Sequence, residues 1–433
     1  MRFYIETFGC QMNEHDSEKM SHLLRINGFT PAKGIEDTNL VIVNTCSVRE
    51  KAEQKFYSYL GRLKRIKDKR GIIIGVAGCI AQQEKDTLKE KLPFIDFAIG
   101  PSNIHSIVDA VNSSGKGIFF SDFSNNGCVD PLFIKPEPSE SSVRAYVTIM
   151  KGCNNFCTYC IVPYVRGREF SRNSQDIIDE VYNLAKRGIK EIVLLGQNVN
   201  SYNKGSNDLS FPALLKKVNE VEGIERIRFV TSHPRDLSNE LIDCFAELDK
   251  LCEQIHLPFQ SGSDKILKLM NRGYTISEYM ENIEKLRRVC PHIAITADCI
   301  VGFPGEDADA FMETVELVKK VEFDGIFSFA YSKRKNTTAS NYNGQVPREE
   351  ALKRLGYLQG VQKAITLKKN QATEGMVFDV LVEGKSKNSK DDLTGRTRQN
   401  KVVNFRGSDD MIGSLVKVKV LKGYANSLRG ERI

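Results

Sequence analysis

A strand followed by a helix, repeated six times between residues 146 and 332, constrains this chain more than any other feature. The strands are apolar runs with little polar alternation, which is typical of parallel strands buried on both faces. They read YVTIMKG, EIVLLGQ, RIRFVTS, QIHLPFQ, AITADCIVGF and GIFSFAYS. Six such units are two short of a closed eight-stranded barrel, so the sequence predicts a partial (βα)6 barrel with an open side.

Residues 1–112 also alternate strand and helix, and three of their strands end at a cysteine. Cys10 follows RFYIETFG, Cys46 follows LVIVNT and Cys79 follows IIIGVAG, each just before a predicted helix. In an open α/β sheet the carboxyl ends of parallel strands line one edge, where ligands bind. The pattern therefore predicts an open α/β sheet that brings the three thiols together.

Two further segments differ in composition from these α/β regions. Residues 116–140 are rich in Gly, Ser, Asn and Pro, which indicates a connector, with a β-hairpin predicted around GIFFSDF. Residues 370–433 alternate β-branched and basic residues between Gly turns, which predicts a small β-barrel. This last region holds 12 Lys and Arg against 8 Asp and Glu, or +4 of the net charge of +7. The predicted domains are 1–115, 116–140, 141–369 and 370–433.

The overall composition argues against a membrane protein or a secreted one. Hydrophobic residues make up 41% and charged ones 27%, and no apolar run approaches the ~18 residues of a membrane span. The start, MRFYIETFGC, lacks the apolar core of a signal peptide, so the predicted location is the cytoplasm. Disulfides are rare there, and the 11 cysteines are then metal ligands, reactive thiols or packing residues. Packing is predicted for Cys244, Cys252, Cys290 and Cys299.

A second set of cysteines lies in KGCNNFCTYCIVPYVRG, directly after the first barrel strand. Cys153, Cys157 and Cys160 have C-x3-C-x2-C spacing. A closed zinc site needs four ligands, and the sequence has no second C-x2-C or H-x3-H pair to complete one. A thioredoxin-like dithiol would not need Cys153. A [4Fe–4S] cluster with three protein ligands and one open iron fits the pattern better.

This loop, with Tyr159 before its last cysteine, resembles the signature of the radical S-adenosylmethionine (SAM) superfamily, whose core also has six βα units. The resemblance implies that the amino and carboxylate groups of SAM bind the open iron. It also implies that an electron cleaves SAM to methionine and a 5′-deoxyadenosyl radical. The SAM contacts expected at the strand ends are Tyr159, Gly196, Gln197, Gln260, Ser261 and Glu306.

Phrases along almost the whole chain resemble the methylthiotransferase family. TFGCQMNEHDSE, VNTCSVREKAEQK and GVAGCIAQQE look like its N-terminal domain, and HLPFQSGSDKILKLMNRGYT looks like its core. The resemblance implies a second, auxiliary [4Fe–4S] cluster on Cys10, Cys46 and Cys79, with an open iron that can hold sulfide. The alternative for these three is packing as buried strand-end cysteines. No catalytic side chain is predicted beyond the cluster ligands.

The run LTGRTRQNKVVNF resembles the TRAM domain, an RNA-binding barrel of the same family. RNA contacts are predicted at Arg396, Arg398, Lys401 and Arg406, since Lys and Arg neutralise phosphates. The alternative is a solvated charged strand face. The partners implied are the anticodon stem-loop of tRNA, a reductant such as flavodoxin or ferredoxin, and a sulfur donor, with the protein itself a monomer.

Within the family, NTCSVREKA and the LTGRT…VVNF run resemble the bacterial enzymes that act on tRNA. The implied reaction is methylthiolation at carbon-2 of N(6)-(dimethylallyl)adenosine next to the anticodon. Sister enzymes that modify threonylcarbamoyl-adenosine in tRNA, or an aspartate of a ribosomal protein, are alternatives. A non-catalytic Fe–S protein that binds RNA and senses redox state is an alternative of another class.

Overall fold

The computed structural model describes residues 1–47, 50–85, 87–113, 118–120, 130–138, 142–387, 389 and 391–433. Most of the predicted connector, including Cys128, lies outside this part of the chain. Within it, no helix is both long and apolar enough to cross a bilayer.

The first unit is an open parallel sheet with helices on both faces. Its strands are β1 (Arg2–Phe8), β2 (Thr30–Pro31), β3 (Leu40–Thr45), β4 (Ile73–Gly78), β5 (Phe97–Ile99) and β6 (Ile118–Phe120). Its helices are α1 (Gln11–Ile26), α2 (Glu50–Arg70), α3 (Cys79–Gln83), α4 (Leu88–Lys91) and α5 (Ile107–Asn112). The strand order is β2-β1-β3-β4-β5-β6, and every pair is parallel.

The apolar runs explain this sheet because both of its faces are covered. In β3, Val41 and Val43 belong to the core on one face, and Leu40 and Ile42 to the core on the other. Most of the predicted hairpin around GIFFSDF lies outside the described residues. Residues 118–120 pair in parallel with β5 and extend the first sheet beyond residue 115.

The second unit supplies the longer strand–helix repeat. Its strands are β7 (Arg144–Thr148), β8 (Met150–Lys151), β9 (Phe170–Ser171), β10 (Glu191–Leu195), β11 (Arg226–Phe229), β12 (Gln254–His256), β13 (Ala294–Val301) and β14 (Gly325–Ala330). Its helices are α6 (Val162–Arg166), α7 (Ser174–Lys186), α8 (Phe211–Asn219), α9 (Asn239–Glu247), α10 (Asp264–Leu269), α11 (Ile276–Val289), α12 (Ala308–Val321) and α13 (Arg348–Gln371).

Six of these strands run in parallel and in chain order, which confirms the partial (βα)6 barrel. β7, β10 and β11 pair side by side, and so do β12, β13 and β14. A parallel bridge between Ile227 and Leu251 joins the two groups. No ladder joins β7 to β14 within the described residues, so the barrel is open there. Outward-facing side chains such as Val147 and Ile192 pack with the helices into the largest core, which also buries Cys244, Cys290 and Cys299.

The third unit is a closed five-stranded barrel. Its strands are β15 (Val377–Lys385), β16 (Asp392–Arg396), β17 (Val402–Arg406), β18 (Leu415–Gly423) and β19 (Leu428–Arg432). They close in the order β15-β16-β17-β19-β18. Arg226 of β11 donates to the carbonyls of Arg396 and Asp379, at 2.6 and 2.8 Å. The small barrel is therefore docked where β11 begins, and the carboxyl ends of the strands are left for a site.

Candidate active site

The three-cysteine loop lies at the carboxyl end of the first barrel strand and is closed by its own backbone. The Cys160 amide donates to the Cys157 carbonyl at 2.9 Å, and the Cys153 amide donates to the Gly167 carbonyl at 3.3 Å. Gly152, just before the loop, has φ of +73°, and a Cβ there would lie 2.6 Å from the Gly167 oxygen. Only glycine fits this close approach.

The segment after α10 clamps the same loop from the other side of the barrel mouth. The Thr158 amide and hydroxyl donate to the carbonyls of Met270 and Leu269, at 3.0 and 2.9 Å. The Asn271 amide group donates to the Phe156 carbonyl at 3.2 Å, where Phe156 has a left-handed φ of +47°. The loop is thus held in one shape by residues more than 100 positions away.

Arg272, at the end of this clamp, is a site residue that the sequence reasoning missed. It is 4% exposed, and its guanidinium contacts the Cys157 sulfur at 3.5 Å and the Tyr159 hydroxyl at 3.4 Å. A third contact, to the Pro258 carbonyl at 2.8 Å, fixes its orientation. Arg272 thus places a buried positive charge beside a sulfur of the cysteine loop. Its position in the family-like phrase LMNRGYT was the available signal.

Burial disfavours the thiolate form of two cysteines in this loop. It raises the pKa of Cys153 to about 11 and that of Cys160 to about 12. Only the thiolate binds a metal, so loading a cluster into this loop releases these protons.

The N-terminal cysteines are brought together by sheet register. Phe8, Thr45 and Gly78 are partners across the adjacent strands β1, β3 and β4. Cys46 and Cys79 are the next residues after Thr45 and Gly78, and Cys10 comes two after Phe8. The predicted meeting of the three at one edge follows directly from this alignment, because parallel strands place their carboxyl ends on the same side.

Small residues make room beside these thiols. A Cβ on Gly9 would lie 2.9 Å from the Cys46 Cβ, and one on Gly78, at φ of +91°, would lie 2.6 Å from the Thr45 oxygen. The Cys10 sulfur contacts the buried Asn13 side-chain oxygen at 3.3 Å. Within the described residues, no three His, Cys, Asp or Glu side chains are grouped closely enough to hold a single metal ion. A cubane cluster instead takes each thiolate on a different iron.

The pKa values of the N-terminal cysteines are set by different groups from those of the loop cysteines. A hydrogen bond with Cys46 lowers the pKa of Cys10 to about 6, and the charge of Arg166 acts in the same direction. Burial raises the pKa of Cys79, an effect that Arg166 opposes. A cation from the second unit thus faces two cysteines of the first.

The two cysteine sets share one end of the barrel. Cys79 packs in a small cluster with Ile161 and Val165, of which Ile161 directly follows Cys160. Cys10 packs against Val193 and Leu195, near the carboxyl end of β10. The N-terminal unit therefore covers the barrel mouth with its cysteine edge facing inward.

Unpaired polar atoms line this mouth, and they suit a polar cofactor such as SAM. Buried atoms without a partner in the described structure include Gln197 Nε2, Ser232 Oγ, His233 Nε2 and Gln260 Oε1. Such atoms are costly when nothing binds them. Gln260 also has a left-handed φ of +68°, and Thr231 one of +70°. Strained residues of this kind cluster at functional sites.

Four of the predicted SAM contacts lie near these atoms. Gln197 accepts a hydrogen bond from the Gly152 amide through its side-chain oxygen, which links the second strand to the cysteine loop. Gly196 packs closely on Met150, where a Cβ would lie 3.1 Å from the sulfur. The Tyr159 ring packs edge-on against Phe303, with centroids 6.5 Å apart.

Two further predicted SAM contacts, Ser261 and Glu306, have side chains that bond within the protein. Ser261 is fully buried and bonded at 3.5 Å to Thr314 of α12. Glu306 accepts from the Gly302 amide at 2.7 Å and pairs with Arg354 of α13 at 2.8 Å. Location at a strand end did not reveal that these side chains turn toward the helices.

Two of the four predicted RNA contacts reach from the small barrel to the large one, and a third forms an ion pair within the small barrel. Arg398 donates to both carboxylate oxygens of Glu253, at 2.7 and 2.9 Å, and Lys401 pairs with Asp324 at 3.2 Å. Arg396 pairs with Glu383 at 3.1 Å. Their charges are compensated within the chain, and their assignment as RNA contacts stays a prediction. Arg406 is exposed.

Comparison with solved structures confirms the fold. TsrM from Kitasatospora setae, a radical SAM methyltransferase with a [4Fe–4S] cluster, superposes with a TM-score of 0.57, 12% identity, and coverage of 78% of this chain and 74% of its own. OxsB, a cobalamin-dependent SAM radical enzyme, superposes with a TM-score of 0.51 and 11% identity, covering 84% and 56%. Family models match at residues 2–100 (uncharacterized protein family UPF0004), 147–318 (radical SAM superfamily) and 371–433 (TRAM domain). The fold and site thus define a radical SAM enzyme with a TRAM domain.

Two relatives narrow this class, both carrying the same name, tRNA-2-methylthio-N(6)-dimethylallyladenosine synthase. The protein of Syntrophus aciditrophicus is 51% identical over 99% of this chain and 94% of its own length, and that of Geobacter metallireducens is 49% identical over 99% and 97%. This chain belongs to the tRNA-2-methylthio-N(6)-dimethylallyladenosine synthase family.

Proposed function

We infer that this protein is a radical SAM methylthiotransferase that converts N(6)-(dimethylallyl)adenosine of tRNA to its 2-methylthio derivative at carbon-2. The observation that carries the inference is the meeting of two three-cysteine sets at one barrel mouth, through the packing of Cys79 on Ile161 and Val165. Membership of the synthase family supports the substrate.

Each cysteine set would hold one [4Fe–4S] cluster with an open iron. Cys153, Cys157 and Cys160 would hold the cluster that binds SAM, and Cys10, Cys46 and Cys79 the auxiliary one. When bound, the first cluster supplies the electron that splits SAM to the 5′-deoxyadenosyl radical, and the second carries the sulfur to be transferred. The difficult chemistry belongs to the cofactors, and the protein positions them.

The side chains of the protein itself position the cluster ligands and bind SAM. Arg272 holds Cys157 in place through a contact with its sulfur at 3.5 Å. Gln197 and Gln260 present unpaired amide atoms at the mouth, where the polar ends of SAM need partners. Burial lowers the pKa of His233 to about 2, so its imidazole is neutral and binds by hydrogen bonds rather than by charge.

The tRNA must present one base to the mouth. A carbon-2 edge is unreachable inside a stack, so the adenosine leaves its stack, as in base-flipping enzymes. Phosphate contacts are proposed on the exposed basic side chains of the TRAM barrel, Arg406, Lys417 and Lys419.

The reaction also needs an electron source and a sulfur source. SAM cleavage needs a one-electron reductant, for which a flavodoxin or ferredoxin is proposed, and methylthiolation consumes a sulfur donor. The protein is proposed to act in the cytoplasm as a monomer. Light scattering of the cluster-loaded protein would contradict the last point if it gave twice the chain's mass of 48.8 kDa.

The test of the function uses tRNA nucleosides. In a strain lacking this gene, mass spectrometry is expected to find N(6)-(dimethylallyl)adenosine without its 2-methylthio form, and the form returns with the gene. An unchanged 2-methylthio level would reject the substrate. A lost 2-methylthio group on threonylcarbamoyl-adenosine would point to the sister enzyme instead. Absence of 5′-deoxyadenosine with reduced, reconstituted protein and SAM would leave only a redox sensor.

A further inference from the structure

Arg166 joins the two cysteine sites through a buried ion pair. It ends α6, six residues after Cys160, and is 8% exposed. Its guanidinium donates to the Asp16 carboxylate at 2.7 Å, and Asp16 lies on α1, six residues after Cys10. The pair therefore connects the loop of one cluster to the helix that follows a ligand of the other.

Apolar packing beside this pair brings α6 against a cysteine of the first unit. Val165, the neighbour of Arg166, and Ile161 are both in contact with Cys79 at the start of α3. The charge of the guanidinium acts on both Cys79 and Cys10. Because both partners of the ion pair are buried, their charges are screened far less than surface charges would be.

Other charges border the pair but do not replace it. Lys19 of α1 is also buried, and Arg172 and Glu180 form their own ion pair at 2.6 Å. Among the charges acting on Cys10 and Cys79, the cation that acts on both is Arg166, within the part of the chain that the structure describes.

We propose that Arg166 is a positioning residue of the auxiliary cluster, and that it and Asp16 set the reduction potential of that cluster from the SAM-binding loop. The proposal rests on the assignment of an auxiliary cluster in the proposed function. Reduction adds one negative charge to a cluster, and nearby charges and hydrogen bonds to its sulfurs set the potential. The cation favours the reduced state, and the carboxylate partly cancels the cation.

Two substitutions at this ion pair should therefore shift the midpoint potential of the auxiliary cluster in opposite directions. Arg166→Gln removes the cation, so the midpoint potential of the auxiliary cluster should fall by about 60 mV, a tenfold change in the ratio of reduced to oxidised cluster. Asp16→Asn removes the cancelling charge, so the midpoint should rise. Arg168→Gln removes an exposed cation from the same segment and should change nothing.

The measurement is an EPR-monitored redox titration of the full chain. Every variant also carries Cys153→Ala, Cys157→Ala and Cys160→Ala, so the signal comes from the auxiliary cluster alone. Iron per chain and the melting temperature are recorded for each variant.

Shifts of Arg166→Gln and Asp16→Asn in the same direction, or shifts no larger than that of Arg168→Gln, overturn the proposal. If Arg166→Gln fails to hold iron, Asp16→Asn decides alone, and a midpoint that does not rise overturns it. Failure of the proposed function is separate, since it appears as unchanged tRNA nucleosides, whatever the potentials are. A chain without EPR signal or iron in the parent variant would reject the auxiliary cluster itself and the proposal with it.

Discussion

The two cysteine sets reach the same barrel mouth by different physical routes. Cys153, Cys157 and Cys160 lie within eight residues, and hydrogen bonds within the loop fix their spacing. Cys10, Cys46 and Cys79 span 70 residues and meet only because three parallel strands are in register. The spacing of the loop cysteines is therefore set locally, whereas the meeting of the other three depends on the register of the whole sheet.

The pKa values of the cysteines also differ between the two sets. Burial dominates in the loop, where the pKa values of Cys153 and Cys160 are raised. In the sheet set, the contact with Cys46 and the distant Arg166 lower that of Cys10. Each set has one buried arginine as an outer partner, Arg272 for the loop and Arg166 for the sheet.

The largest expected effect comes from removing each set in turn. Replacing Cys153, Cys157 and Cys160 by Ala should abolish 5′-deoxyadenosine formation. Replacing Cys10, Cys46 and Cys79 by Ala should halve the iron and abolish methylthiolation while SAM cleavage continues. Iron analysis and chromatography of the SAM products measure both. Lost SAM cleavage with full iron in the second variant would contradict two separate sites.

The next largest effect comes from the glycines that give the thiols room. Gly78→Ala should lower the iron bound by Cys10, Cys46 and Cys79 only, because the added Cβ meets a backbone oxygen. Gly152→Ala should lower the iron bound by the C-x3-C-x2-C loop only, for the same reason. Gly28→Ala is the control, since Gly28 has φ of +82° but open space around it. It should cost about 1–3 kcal/mol of strain without loss of iron. Iron loss in the control would mean that backbone strain, rather than the close contact, is responsible.

A smaller effect is expected at the outer partner of the loop. Arg272→Gln keeps a hydrogen-bonding group but removes the cation at Cys157, and the rate of SAM cleavage should fall about 10–100-fold, as for other outer-sphere partners of metal ligands. Arg288→Gln, at an exposed position of α11, should leave the rate unchanged. Equal rates for the two variants would remove Arg272 from the site.

The smallest effect is expected at the TRAM barrel. Lys417→Gln combined with Lys419→Gln should weaken tRNA binding and reduce the slope of log affinity against log salt by about 2, because each lysine neutralises one phosphate. SAM cleavage should not change. Filter binding over a salt series measures the slope, and an unchanged slope would place the RNA elsewhere.

Arg398→Gln provides the matched comparison for this barrel. It should lower the melting temperature, because it breaks the double contact with Glu253, and leave the salt slope unchanged. A reduced slope would support Arg398 as an RNA contact.

Sequence reasoning reached the fold, and with it the placement of the six cysteines at strand ends, because strand patterns follow from short-range rules. Unalternated apolar runs are typical of parallel strands, and parallel strands place their ends on one edge. The C-x3-C-x2-C spacing lies within one loop, so no long-range packing is needed to predict it. The same rules did not predict the partners of the Ser261 and Glu306 side chains, because a position at a strand end does not fix the direction of a side chain.

The contacts that sequence reasoning missed run across long stretches of chain. Arg166 bonds to Asp16 over 150 positions and Arg398 to Glu253 over 145. Periodicity predicted the strands and helices, because that pattern repeats over a few residues, and the assignment of the six cysteines as cluster ligands stays a prediction. The partners of the buried charges arose only when the three units packed together, since desolvation and pairing depend on neighbours in space rather than in sequence.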